Sequence, residues 1–169
     1  MVTAVAVAEG NALAVGLGEI KISRDPQTVL VAYGLGSCVA VAMYDPLNHV
    51  AGLLHAVLPE RAKDADPHSA KYADSGIQSL LGDLERQGAL RSRLVVRMVG
   101  GANMLALKDA KQALNIGERN VVSARATLAG LRLRIAAEDV GGNKGRTVRL
   151  SVSDGRMTVR VLGSETRDL

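Results

Sequence analysis

The chain contains no phenylalanine and no tryptophan, and three tyrosines supply its whole aromatic content, 2% of 169 residues. A single-strand nucleic-acid surface needs rings on which bases can stack, so that function class is disfavoured. The core has to be built from Val, Leu, Ile, Ala and Met, within an apolar fraction of 47%. Cysteine is almost absent too: Cys38 stands alone, which rules out an internal disulfide and fits a reducing compartment, the cytoplasm. One cysteine and three scattered histidines offer no metal-ligand spacing, so neither a metal nor an organic cofactor is expected. No apolar run approaches the roughly 18 residues of a membrane span. The small, apolar N-terminus has no basic residue before Lys21, unlike a signal peptide, and a soluble protein without direct membrane insertion is expected.

The net charge of +4 admits acidic partners, but the basic residues are dispersed. Arg132 and Arg134 alternate with Leu131, Leu133 and Ile135, and Arg149 and Arg160 alternate with Val148, Leu150, Val159 and Val161. Such alternation describes the solvated face of strands, and no nucleic-acid partner is expected.

Hydrophobic periodicity divides the chain. Residues 1–14 read as a flexible extension, 15–163 as a single domain and 164–169 as a frayed end. Strand-like runs occupy Thr28 to Tyr33, Cys38 to Tyr44 and Val50 to Leu58. Between Tyr72 and Gln87, the residues Ile77, Leu80, Leu81 and Leu84 form one helical stripe, with Gly88 suited to the C-terminal cap. Leu94 to Val99 reads as a buried strand, and Ala102 to Gln112 as a loop with one helical turn. Asn115 with Glu118 suggests a capping box opening a second helix, after which Leu131 to Asp139 returns to strand alternation. Ser153-Asp154-Gly155 joins a final hairpin. The fold class expected is α/β, a largely antiparallel or mixed sheet system covered on one face by two helices.

Three glycine-rich stretches fail as nucleotide loops. The run Gly34-Leu35-Gly36-Ser37-Cys38 leads into a strand, whereas a dinucleotide motif must open a helix. Cys38 is more interesting. The segment Asp45-Pro46-Leu47-Asn48 is a turn signal, and a hairpin closing symmetrically about Pro46-Leu47 sets Tyr44 opposite His49 and Cys38 directly opposite His55. A thiol is weakly ionised at neutral pH, so an imidazole that takes its proton creates a nucleophile. Amides of the turn at Gly36 and Ser37 are suited to an oxyanion. The competing reading is equally simple: a lone cysteine often only fills space, and a histidine on an apolar strand is often structural. His49 and His68 read as solvated surface residues.

The run Gly34 to Val41, the His55 segment ending at Leu58-Pro59, and Lys71-Tyr72-Ala73-Asp74 together resemble the CheD family of chemoreceptor glutamine deamidases. So do Gly100-Gly101-Ala102, Asn115 to Val121 and Ala137 to Asn143, in order and at similar spacing. The resemblance covers about residues 15 to 162. It implies a layered α/β/β sandwich like that of toxin deamidases of the cytotoxic necrotising factor type. It further implies hydrolysis of glutamine side chains on the cytoplasmic domain of chemotaxis receptors, with Cys38 as nucleophile and His55 as general base. In some members it extends to receptor methylester hydrolysis and to a CheC-type response-regulator phosphatase as partner. One position departs: where the family places a threonine as third member of the site, this chain has Ala32. With no hydroxyl there, the orientation of His55 loses its usual support, a backbone carbonyl or water could hold the ring instead, and activity is expected to be retained but weakened. The alternative function is a catalytically weak protein that binds receptor or phosphatase.

Overall fold

The computed structural model describes residues 11–104 and 115–169. The expectation for Ala102 to Gln112 therefore lies largely outside the described residues. Among the described residues, ten strands form two five-stranded sheets. The first has the order β1 (Asn11–Ala14), β3 (Thr28–Leu35), β8 (Arg146–Ser151), β9 (Met157–Val161) and β10 (Thr166–Asp168). The second runs β2 (Glu19–Ser23), β5 (Val50–Ala56), β4 (Val39–Asp45), β6 (Val95–Gly100) and β7 (Ile135–Val140). Pairing is antiparallel except for β1 with β3 and β6 with β7, so both sheets are mixed. Helices α1 (Ala73–Arg86) and α2 (Ile116–Gly130) cover the second sheet, giving the expected α/β/β layers.

Strand alternation sends one set of side chains to each side of the central sheet. Val39, Val41, Met43, Leu54 and Ala56 meet Ile77, Leu80, Leu81 and Leu84 of α1 and Val121, Ala124 and Leu128 of α2. Each branched side chain buried in this way contributes roughly 1.5–3 kcal/mol. Cys38, Ala40, Ala42, Tyr44, Ala51 and Leu53 face the other sheet, where they pack with Leu30, Ala32, Leu35, Val148, Leu150 and Val159. No helix among the described residues is long and apolar enough to cross a membrane.

Several local expectations hold. Asn115 accepts a hydrogen bond from the Glu118 amide at 3.1 Å and caps α2. Beyond α1, the Ala89 amide returns to the Leu84 carbonyl at 3.0 Å. Others need correction. Asn11–Ala14, assigned to a flexible extension, forms β1 along Thr28–Val31, and Thr166–Asp168, assigned to a frayed end, forms β10 along β9. Backbone pairing on an exposed sheet edge leaves little hydrophobic pattern to read. Leu131 caps α2 and Arg132 takes a left-handed φ of 58°, so the strand begins only at Ile135 and Arg132 belongs to a turn.

The β4–β5 hairpin also differs from the expected register. Its last pair before the loop is Asp45 with Val50, leaving four loop residues instead of two. The Asp45 carboxylate accepts from the amides of Leu47 and Asn48, and His49 reverses the chain at φ 48°. Tyr44 therefore pairs with Ala51, and His55 lies opposite Ala40. The shift is two residues, which preserves the face on which every side chain lies.

Candidate functional site

Cys38 sits immediately before β4, on the last residue of the loop Gly36-Ser37-Cys38, and is buried between the sheets. A bulge in β3 creates that loop: pairing with β8 jumps from Ala32–Val148 to Leu35–Arg146, and Gly34 adopts φ 62°. Glycine takes this conformation without the strain other residues incur. The loop is then tied down by its carbonyls. Gly36 accepts from Ala102 at 2.8 Å, Cys38 from Gly101 at 2.7 Å, and Ser37 from the Asn120 side chain at 2.8 Å. Gly100 is needed here, because a Cβ on it would fall 2.2 Å from the Cys38 carbonyl oxygen. The amides of Gly36 and Ser37 donate to no protein group among the described residues, and that of Cys38 meets only its own thiol.

His55 lies on β5, buried, on the same face of the sheet as Ala40 and Cys38. Because the ladder ends at Val39 with Ala56, the thiol and the imidazole are diagonal rather than directly opposed. Diagonal neighbours have Cα atoms about 7–8 Å apart, still within reach of long side chains. The His55 ring Nδ1 donates to the Val15 carbonyl at 3.0 Å, while Nε2 is buried with no partner among the described residues. The Val15 bond fixes the tautomer, so Nε2 carries the lone pair. No hydrogen bond joins Nε2 to the thiol in this arrangement.

Val15 owes its position to the crossing between sheets. Its amide donates to Val31 of the first sheet, and the next three residues turn into β2 of the second. The Glu19 carboxylate accepts from the Gly16 amide at 2.8 Å, and the Gly18 amide donates to the His55 carbonyl at 2.8 Å. Ala32 is fully buried in the core between the sheets. The group that meets the His55 ring is thus a backbone carbonyl, that of Val15.

Burial pushes the Cys38 thiol up, partly opposed by its own backbone amide. Burial pushes His55 down, against the Val15 bond and the Glu19 carboxylate, which favour the imidazolium. Both directions favour uncharged forms, so at neutral pH the resting pair is thiol and imidazole rather than thiolate and imidazolium. His49 is at the opposite end of the hairpin, its Nδ1 3.2 Å from the Tyr44 hydroxyl, and His68 lies in the exposed loop before α1. Neither approaches Cys38 along the sheet. No group of three or more potential metal ligands occurs among the described residues.

Asn120 was not singled out by sequence reasoning as a site residue. It is fully buried on α2, and its Nδ2 donates to both Ser37 and Val57 carbonyls, at 2.8 and 2.9 Å. A readable signal did exist: asparagine is a poor helix former, yet here it stands in the middle of a helix, next to Val121 on the apolar stripe.

The open end of the central hairpin of this α/β/β sandwich thus carries one thiol and one imidazole on the same face. The chain belongs to the CheD family, whose model, described as CheD chemotactic sensory transduction, matches residues 57–161. That match begins just after His55, but similarity to whole proteins extends across the site. The chain is 44% identical to a probable chemoreceptor glutamine deamidase CheD of Symbiobacterium thermophilum over 160 residues, 92% of this chain and 96% of that protein. It is 41% identical to the protein of the same description from Desulforamulus reducens over 160 residues, covering 94% of this chain and 96% of the relative. Among solved structures, the hypothetical protein YfiH of Bacillus licheniformis matches with a TM-score of 0.46 and 16% identity, over 70% of this chain and 49% of that one.

Proposed function

We propose that this chain is a cysteine-dependent protein-glutamine deamidase acting on chemoreceptors, as its relatives are described. The observation that carries the reading is His55: one ring nitrogen is held by the Val15 carbonyl and the other is buried, unpartnered and on the Cys38 face. A buried lone pair with no partner is costly, on the order of 1–3 kcal/mol, and such groups concentrate where chemistry occurs.

In the proposed reaction His55 Nε2 takes the thiol proton as Cys38 Sγ attacks the carboxamide carbon. The carbonyl oxygen becomes an oxyanion, for which the amides of Gly36, Ser37 and Cys38 are suitable donors. The C–N bond breaks as Nε2 returns its proton to the nitrogen, and ammonia leaves a thioester. Water, losing a proton to Nε2, attacks the thioester carbon, the C–S bond breaks, and the thiol is restored with glutamate as product. The pair is not hydrogen-bonded in this arrangement, and catalytic hydrogen bonds commonly form only with substrate bound. The same thioester route accommodates receptor methylester hydrolysis. The setting is the cytoplasm, with the receptor cytoplasmic domain as substrate and a CheC-type phosphatase as a partner.

Incubation of receptor cytoplasmic domain with the protein, followed by mass spectrometry, tests this. Glutamine peptides should gain about one dalton, the amide-to-acid difference, with wild type and not with Cys38→Ala. Equal conversion by both proteins would end the cysteine mechanism. A wild-type protein that binds receptor tightly without converting it would favour the weak interaction protein instead.

A further inference from the structure

We propose that Asn120 is a positioning residue for the Cys38–His55 pair, a role that rests on the deamidase reading. The β4–β5 ladder stops at Val39 with Ala56, so Cys38 and Val57 lack the backbone pairing that would continue it. Asn120 supplies the missing connection from the helix layer. One amide group donates one proton to Ser37, the residue before Cys38, and the other to Val57, two residues beyond His55. The separation of the two strands at the site is set by a side chain of fixed length.

Two features distinguish this clamp from ordinary core packing. Asn120 is fully buried, so it touches no substrate and acts only through the strands. Its Oδ1 is buried with no partner among the described residues, an unfavourable arrangement that an apolar residue would avoid. The asparagine is therefore explained by the two bonds it donates. Ser123, one turn further along α2, adds a bond from its hydroxyl to the Pro59 carbonyl at 2.6 Å, holding the segment that follows β5 against the same helix.

The test is a double-mutant cycle read by the rate at which iodoacetamide alkylates Cys38 at neutral pH. His55→Leu and Asn120→Ala should each slow alkylation, Asn120→Ala by about tenfold to a hundredfold, the cost of a displaced catalytic group. The double variant should be little slower than His55→Leu alone, because both remove the same assistance. Additive effects, or an Asn120→Ala protein that loses thermal stability with an unchanged alkylation rate, overturn the proposal. If Asn120→Ala does not fold, Asn120→Ser, which keeps one donor, takes its place in the cycle. Failure of both to fold assigns Asn120 to stability and also overturns it. The readout is thiol reactivity, so a coupled cycle with no receptor deamidation would count against the deamidase reading alone.

Discussion

The two ends of the β4–β5 hairpin treat a buried ionisable group in opposite ways. At the loop end, the Asp45 carboxylate is fully buried and accepts from the amides of Leu47, Asn48 and Leu90 and from the Arg93 guanidinium, the last at 2.7 Å. Burial alone would raise its pKa, but the Arg93 bonds and the three amides outweigh burial and hold it well below the usual carboxylate range. Nearby, the Tyr44 hydroxyl meets the Ser153 carbonyl and Arg97 donates to the Gly155 carbonyl, joining the two sheets. Five residues along β5 from Val50, the partner of Asp45, His55 has one hydrogen bond and an unpartnered nitrogen, in a sandwich end where the loop amides of Gly36 and Ser37 have no acceptor among the described residues. One end is saturated with partners and the other is left incomplete. Polar saturation gives rigidity, whereas an incomplete buried site has something to offer a substrate.

The sharpest way to break this comparison is to strip the saturated end. Asp45→Ala leaves the amides of Leu47, Asn48 and Leu90 without their acceptor and should cost at least about 1–3 kcal/mol, the penalty for one unmet buried donor, while deamidation per folded molecule stays unchanged. Urea denaturation and the receptor assay measure the two halves. A large loss of activity in protein that remains folded would mean that the ends are not separate.

A smaller effect is expected from restoring the missing hydroxyl. Ala32→Thr adds two heavy atoms to a fully buried position, and overpacking of this kind costs typically 1–3 kcal/mol. Because the Val15 carbonyl already engages His55 Nδ1, turnover should not rise. Faster deamidation by Ala32→Thr would show that the carbonyl is an inferior substitute.

The smallest effect is in the pH dependence of stability, where the two ends separate by window. His55 is pushed below its ordinary 6.5, so the unfolded chain binds its proton first, and stability falls as pH drops below 6.5. The slope for one group cannot exceed about 1.4 kcal/mol per pH unit. Asp45 is held low, so its contribution persists until pH falls below the ordinary carboxylate value of 3.8 and is lost beyond it. Denaturation series between pH 4 and 7 should therefore show a slope that His55→Leu flattens and Asp45→Ala does not.

Much of this was legible in the residues. The helical stripe of α1 followed from periodicity, because that pattern arises from burial, the Asn115 cap from its spacing to Glu118, and the α/β/β layering from the family resemblance. Cys38 and His55 were placed on one face even though the turn was read two residues short, since an even shift preserves alternation. What was not legible lies in the backbone. β1 and β10 are exposed edges held by main-chain pairing, and the Val15 carbonyl has no side-chain signature. Asn120 was visible as an anomaly inside a helix, but its two partners are carbonyls whose meeting depends on the whole fold.

The Val15 bond has an evolutionary corollary. A threonine hydroxyl can disappear by a single codon change, but a main-chain carbonyl persists whatever residue is encoded there. The tether on the His55 ring therefore places no demand on the side chain at position 15, and Ala32 is free to serve the packing between the sheets alone. Substitutions at position 15 that keep the local backbone should leave the ring held, because the bond is made by a group that every residue carries.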